Sequence, residues 1–186
     1  MTTQEDRDLA ELLLQSLRSG QGLDLSNGQA RMDAEGRMET LEAHTLQEPV
    51  SATRHRSFEY DRVLAAWLAR YEFDLVHIRP LIGHSLSLPR PAKEAGAVVI
   101  NSFHDFYTIS PSVKLLDEDN VFCGATCPEG KAYADSDLWP KGSMPRLDQD
   151  WIDIWQKQFV DALSVCDAFV TTSPSAREMM LQTMPA

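Results

Sequence analysis

The sequence contains little cysteine, no secretory leader and no hydrophobic run long enough to cross a membrane. Its three cysteines cannot all pair, and Met1 is followed by a polar run, Thr2 to Asp6, where a leader would carry basic and then apolar residues. The longest apolar runs, near 97–100 and 168–170, are far shorter than the roughly 20 residues of a membrane span. These absences predict a soluble, cytoplasmic protein.

Glycine-rich phosphate-binding motifs are missing as well. No G-x-G-x-x-G lies between a predicted strand and a predicted helix, and no P-loop occurs, so the sequence provides no recognisable nucleotide cradle. There is likewise no G-x-S-x-G nucleophile elbow. We therefore expect no bound cofactor.

Basic residues are in deficit, with 17 Lys and Arg against 28 Asp and Glu and a formal net charge of −11. This balance argues against a dedicated nucleic-acid binder, whose affinity rests on basic contacts with phosphates. Only the stretch 54–94 is mildly basic, with seven bases and five acids. Such a face can meet a phosphorylated or lipid-linked substrate, or it can simply be solvated surface.

The composition that remains is that of a globular protein. Of the 186 residues, 43% are apolar and 24% are charged, which excludes a wholly disordered chain. A chain of this length buries about 70% of its extended surface, so it needs neither disulfides nor a metal in order to fold. The length fits one substantial domain with room for an appendage.

We expect residues 1–56 to form a poorly defined N-terminal segment. Leucines recur at helical spacing, so a short helix is expected over 6–18. Beyond it, the turn pairs at 27–28 and 35–36 fit a small hairpin or a loosely ordered crossover.

Residues 57–186 predict helices that alternate with short apolar strands. The predicted helices cover 57–71, 81–95, 149–166 and the residues from 174 onward, and the predicted strands cover 73–78, 97–103 and 168–172. Pro89 and Pro91 must kink or split the second helix. A hairpin is expected over 113–123. The alternation predicts an α/β fold with a Rossmann-like three-layer parallel sheet and right-handed crossovers.

Polar residues of chemical interest fall just beyond the predicted strands. Arg79 follows the first strand, His104 and Asp105 follow the second, and Ser173 follows the third as the expected N-cap of the last helix. In a parallel sheet these positions share one edge, where ligands collect. His104 and Asp105 can provide a general base or a hydrogen-bond donor, or Asp105 can cap the loop while His104 packs against the sheet.

Three further residues near this edge carry weaker signals. His84 lies just beyond the first strand, where it can face a ligand. Tyr107 can offer a hydroxyl or a flat surface to a sugar ring. His77 lies inside an apolar strand, where a core histidine bonded to a backbone neighbour is expected.

The cysteines do not predict a metal site. Cys123 and Cys127 have C-x-x-x-C spacing and His104 is a remote third ligand, but structural zinc needs four donors and no second tight pair exists. We expect two loop thiols without a metal and without a disulfide, because the cytoplasm is reducing. Cys166 lies on the apolar face of its helix and is expected to be a buried thiol.

Several short segments follow one another in a characteristic order along the chain. They are D-L-V-H-I at 74–78, K-E-A-G at 93–96, H-D-F-Y at 104–107, L-L-D-E-D at 115–119 before Cys123-Gly124, and C-D-A-F-V at 166–170 before S-P-S at 173–175. Together they resemble the N-terminal, acceptor-side domain of the family 4 (group 1) glycosyltransferases. The resemblance covers about residues 57–183.

This resemblance implies one half of a two-domain GT-B enzyme. Such an enzyme transfers a sugar from a nucleotide-sugar donor to a sugar, lipid-linked or other hydroxyl acceptor, with retention, in polysaccharide or glycolipid assembly. In that scheme His104 contacts the donor sugar or the acceptor, and Asp105 holds the loop or orients His104. Arg79 meets an acceptor phosphate, and His84, Tyr107 and Ser173 complete the substrate-binding set.

The sequence departs from the family pattern at both ends. Nothing in 1–56 matches the opening strand and glycine-rich loop, and the chain ends at Ala186, where a second, donor-binding domain is expected to begin. We therefore expect a portion of a larger enzyme that is inactive alone. Peripheral contact with the inner face of a membrane and self-association of the fragment are compatible with this interpretation.

Two other functional classes stay open. A GT-B-type sugar-nucleotide epimerase shares the architecture and would release a free epimer instead of forming a new glycosidic bond. A non-catalytic Rossmann-like module would bind a partner protein, with residues 1–56 as the interaction segment.

Overall fold

The computed structural model describes residues 21–24, 28–32, 38–42, 44–48, 50–117, 119–126 and 149–184. The helix predicted over 6–18 and the cysteine at position 127 lie outside these residues. Among the described helices, none has the length and the apolar character that a bilayer crossing requires.

Three short strands near the N-terminus form an antiparallel sheet. They are β1 (Gln21–Asp24), β2 (Gly28–Met32) and β3 (Met38–Glu42). Each strand pairs with the next one along the chain, so the order is β1-β2-β3. Of the two alternatives for this part of the chain, the structure therefore has hairpin pairing.

The α/β unit follows, with helices and strands in alternation. Its elements are α1 (Phe58–Tyr71), β4 (Leu75–Ile78), α2 (Pro89–Glu94), β5 (Val98–Phe103), α3 (Gln149–Leu163), β6 (Ala168–Thr171) and α4 (Pro174–Met180). The three strands are parallel and lie in the order β4-β5-β6. This open, incomplete Rossmann-like sheet confirms the predicted α/β class.

The sheet order places the crossovers on one face. Because consecutive parallel strands lie side by side and crossovers are right-handed, the segments that join β4 to β5 and β5 to β6 cover the same side of the sheet. In agreement, α2 contacts both α3 and β5. Because the strands are parallel, the loops that follow all three of them begin at the same edge of the sheet.

Helix α1 begins and ends as its sequence predicts. The side chain of Ser57 accepts a hydrogen bond from the backbone N–H of Tyr60 at 3.2 Å, which is an N-cap contact. One apolar face is buried, and Glu72 ends the helix in a left-handed conformation with φ of 48°. The observed bounds differ from the predicted 57–71 by one residue.

The helix predicted over 81–95, with a kink or a split at Pro89 and Pro91, is wrong in its first half. Only Pro89–Glu94 is helical, and residues 81–88 form turns. Proline fits the first helical turn because its missing N–H has no partner there in any case, so Pro89 starts the helix instead of kinking it. Gly83, with φ of 79°, interrupts the preceding segment.

In the described part of 113–123, an isolated antiparallel bridge between Leu116 and Phe122 replaces the predicted hairpin strands. Val113 and Leu115 have left-handed backbone, with φ of 59° and 52°, so the first arm is not an extended strand. The carboxylate of Asp117 closes the turn by accepting hydrogen bonds from the backbone N–H groups of Asp119 and Val121.

The main core lies between the helices and one face of the parallel sheet. The strands contribute Val76, Ile78, Val99 and Phe103. The fully buried helical residues facing them are Leu64, Ile152, Trp155, Phe159 and Leu163. Helix α3 stops three residues before its predicted end because Cys166 turns back and donates its N–H to the Leu163 carbonyl at 2.9 Å.

Candidate functional site

The carboxyl edge of the parallel sheet carries the residues that the sequence singles out. Ile78, the last residue of β4, pairs with Asn101 of β5. Arg79 therefore follows the end of β4 at a point where β5 still continues as a strand. Arg79 and His104, the first residues after β4 and β5, are both exposed. Ligands of open parallel sheets collect at this edge, and the structure brings these two side chains to it from adjacent strands.

His77 joins the same edge from inside β4. Its Nε2 lies 2.7 Å from the hydroxyl oxygen of Ser102 on β5, a hydrogen bond between neighbouring strands. Burial lowers the pKa of His77, and the positive charges of Arg79 and His104 lower it further. The sequence predicted a core histidine with a backbone partner. The structure instead gives it a side-chain partner and two cationic neighbours.

The alternation of side chains along a strand indicates which face of the sheet His77 occupies. Residues on one face of a strand recur every second position, so His77 and Ser102 alternate with the core residues Ile78 and Phe103. The two polar residues thus lie on the sheet face opposite the main core. Their pairing across β4 and β5 depends on the register, which the sequence alone does not supply.

Asp105 shapes the loop that carries His104. Its Oδ1 accepts the backbone N–H of Tyr107 at 2.8 Å, which is a tight local turn of the type that aspartate favours. His104 itself makes no hydrogen bond with the described part of the chain, and its side chain is exposed. Asp105 therefore holds the loop, while the imidazole of His104 is left accessible to a ligand.

Tyr107 lies in the core and not on the ligand-accessible edge. The residue is 2% exposed, and its ring makes edge contacts with Trp155 and Phe159, at centroid distances of 5.1 and 5.4 Å. The indole N–H of Trp155 donates to the Tyr107 carbonyl at 2.8 Å. Burial and the nearby Asp105 charge raise the pKa of the phenol far above its usual range. Tyr107 is therefore buried, whereas Arg79 and His104 are exposed.

His84 is tied to α1. Its Nδ1 lies 2.8 Å from the hydroxyl of Tyr60, and the two rings pack edge to face. The next residue, Ser85, accepts the backbone N–H of Ser57 at 3.2 Å. These contacts anchor the turn segment 81–88 to the start of α1, and His84 takes part in that anchor.

Ser173 caps α4. Its hydroxyl accepts the backbone N–H of Ala176 at 3.1 Å and pairs with the hydroxyl of Ser175 at 3.0 Å. The predicted N-cap, with Pro174 in the first helical position, is confirmed. Ser173 follows β6 at the carboxyl edge.

The described cysteines lie outside any cluster of metal ligands. Cys123 donates its thiol to the Leu115 carbonyl at 3.5 Å. Cys166 is half-buried, and burial raises the pKa of its thiol to about 12, with a further contribution from Asp167. Within the described ranges, no group of three or more His, Cys, Asp or Glu side chains could hold a metal ion.

Comparison with known proteins agrees with the resemblance in the sequence. A family model described as Glycosyltransferase Family 4 matches residues 26–186, which includes the whole parallel sheet and its helices. Neither the curated proteins nor the solved structures yield a match to the chain. Because the family model spans most of its length, the chain belongs to Glycosyltransferase Family 4 and contains the N-terminal domain of that family.

Proposed function

We propose that this chain supplies the acceptor side of a GT-B glycosyltransferase. The enzyme transfers a sugar, of the hexosyl type, from a nucleotide-sugar donor to a hydroxyl acceptor with retention at the anomeric carbon. The observation that carries the proposal is the exposed His104 on a loop fixed by Asp105, beside Arg79 at the carboxyl edge of a family 4 domain. Polysaccharide or glycolipid assembly is the proposed setting.

The proposed reaction needs orientation and charge stabilisation more than a protein nucleophile. The acceptor oxygen bonds to the anomeric carbon, the bond from that carbon to the diphosphate oxygen breaks, and the hydroxyl proton passes to the leaving phosphate. His104 would hydrogen-bond the donor sugar or the acceptor hydroxyl and hold it for attack. Arg79 would offset negative charge at the same edge.

The donor nucleotide is proposed to bind mainly through a second domain. In this division of labour the 186-residue chain orients the acceptor, and robust turnover requires both halves of the crevice. Ser173 would face the donor side from the end of β6, where α4 begins. Peripheral contact with a membrane that presents a lipid-linked acceptor is part of the same proposal.

The test is product analysis with the native polypeptide that contains this chain, purified from its source. The enzyme is incubated with a panel of radiolabelled nucleotide sugars and extracted acceptors, and products are separated by mass. A new glycosidic bond supports the proposal, whereas release of a free epimer without an acceptor would replace transfer by epimerisation.

His104→Ala and Arg90→Ala form the matched pair for this assay. His104 is exposed at the carboxyl edge, and Arg90 is exposed on α2, so neither change disturbs the core. Transfer should be lost with His104→Ala and retained with Arg90→Ala. Robust transfer by the isolated 186 residues would contradict the division between acceptor and donor domains.

A further inference from the structure

Three basic side chains lie at the carboxyl edge of the sheet: the exposed Arg79 and His104 and the half-buried His77. We name His77, Arg79 and His104 the cationic edge. Within the described residues, Arg79 and His104 make no side-chain hydrogen bond or ion pair, and His77 bonds only to Ser102. In a protein with a net charge of −11, basic groups that gather at one place and have no acidic partner among the described residues favour an anionic ligand there.

The sheet register explains why these groups are close. His77 pairs with Ile100 and Ile78 pairs with Asn101, so β5 continues beyond the end of β4. Arg79 leaves β4 at the level of Ser102, two residues before His104. The hydrogen bond between His77 and Ser102 fixes this arrangement across the two strands.

Ser102 suits a histidine that changes its charge. A hydroxyl both donates and accepts, so it can donate to Nε2 of neutral His77 and accept from Nε2–H of the protonated ring. The bond therefore survives protonation. Ser102 is 4% exposed, so it holds the ring from within the protein while Nδ1 has no partner among the described residues.

We propose that the cationic edge binds a phosphate group on the acceptor substrate, with Ser102 as the positioning residue for His77. This inference rests on the proposed function and names its acceptor class. A planar guanidinium pairs with two phosphate oxygens at once, and the two imidazoles can donate hydrogen bonds to the third oxygen. A dianionic phosphate is matched by the permanent charge of Arg79 and by ring N–H donors of the two histidines, whereas a neutral sugar hydroxyl requires no cation.

The first experiment measures binding to the 186-residue chain by NMR of the histidine side chains. The probes are inorganic phosphate and glycerol 3-phosphate, with glycerol as the uncharged control. We expect both phosphates to shift the His77 and His104 resonances and glycerol to leave them unchanged. Arg79→Gln should weaken phosphate binding by at least about tenfold, the loss expected for a charge-assisted contact, and Arg90→Gln should have no effect.

Two further probes distinguish the sources of the phosphate. Vesicles of phosphatidylcholine with and without phosphatidic acid test a lipid phosphate, and UDP tests the diphosphate of a donor. Binding to phosphatidic acid vesicles assigns a lipid-linked acceptor, and binding to glycerol 3-phosphate alone assigns a water-soluble one. Tighter binding of UDP than of glycerol 3-phosphate, lost in Arg79→Gln, would overturn the assignment to the acceptor.

The positioning role of Ser102 has its own readout. Ser102→Ala should reduce phosphate affinity and shift the His77 side-chain resonances of the free protein, while Ser102→Thr, which keeps the hydroxyl, should restore both. Equal loss in the Ala and Thr variants would indicate a packing effect and contradict the role.

Failure of this inference is separable from failure of the proposed function. The native enzyme is given acceptors before and after phosphatase treatment. If transfer is equal for both, and Arg79→Gln leaves the KM for the acceptor unchanged, the phosphate site is refuted while glycosyl transfer stands. If no glycosidic bond forms with any acceptor, the proposed function itself fails.

Discussion

Lys93 on α2 and Asp167 at the start of β6 are joined across 74 residues of sequence by a bond of 2.5 Å between Nζ and Oδ1. The other carboxylate oxygen of Asp167 accepts the backbone N–H of Val99 at 2.8 Å, and the Asp167 N–H donates to the Val99 carbonyl at 2.7 Å. Asp167 thus extends the pairing of β5 and β6 beyond the strand end. The family-like segments at 93–96 and 166–170 are physically connected through this residue.

The backbone bond should matter more to stability than the ion pair. Both charged side chains are partly exposed, at 43% and 31%, so Lys93→Met should cost only about 0.2–1 kcal/mol. Asp167→Ala leaves the N–H of buried Val99 without an acceptor and should cost about 1–3 kcal/mol. Urea unfolding of both variants measures the difference. A larger loss in Lys93→Met than in Asp167→Ala would contradict this order.

Asp167 also predicts how stability depends on pH. Burial opposes its ionisation, but the bonds from Lys93 and Val99 outweigh burial, so the pKa of Asp167 lies below its usual range. The folded state then binds fewer protons than the unfolded state as pH falls from the usual carboxyl range toward the lowered pKa. The stabilisation is therefore complete near neutral pH and is lost on acidification through that window.

The measurement is urea unfolding of the parent chain and of Asp167→Asn at several pH values. The difference in unfolding free energy between the two should be constant near neutral pH and should shrink in acid. A difference that stays constant through the acid range would show that the charge of Asp167 contributes nothing.

Tyr107 is expected to act through packing. Removal of its ring leaves a cavity against Trp155 and Phe159, so Tyr107→Ala should reduce the unfolding free energy by about 3–5 kcal/mol. His104→Ala, three residues earlier but exposed, should change it by less than about 0.5 kcal/mol. If Tyr107→Ala kept its stability and lost only ligand binding, the residue would belong to the site after all.

Local patterns predicted most of the fold and only part of the site. The apolar runs of β4, β5 and β6 and the helical spacing of apolar residues in α1 are local features of the sequence, so the predicted bounds agree with the observed ones within three residues. Tyr107 is buried by Trp155, 48 residues away, and His77 meets Ser102 across 25 residues. Contacts at that separation follow from sheet register and helix packing, which periodicity does not specify.

The environment of His77 predicts an unusual titration. Burial and the charges of Arg79 and His104 lower the pKa of His77, so its NMR midpoint should lie below the ordinary value of about 6.5. Because the unfolded chain then takes up its proton first, this residue destabilises the fold as pH falls from about 6.5 toward the lowered pKa.

Arg79→Gln isolates the charge contribution from burial. The variant should move the His77 midpoint upward, although not to the ordinary value because burial remains. Arg90→Gln removes the same charge from an exposed site on α2 and should leave the midpoint in place. An unchanged midpoint in Arg79→Gln would mean that Arg79 does not act on His77, and it would also weaken the proposed phosphate site.

We expect the chain to self-associate through strand β6. In the described part of the chain β6 pairs only with β5, and it exposes Phe169 and Val170 at 48% and 42%. An unpaired edge with apolar side chains is a template for another strand or an apolar surface, so light scattering after size exclusion should show association that grows with concentration. Val170→Lys should restore a monomer, while Thr172→Lys, which adds the same charge just beyond the strand, should not. A monomer at every concentration, or equal effects of the two lysines, would mean that β6 is not the contact.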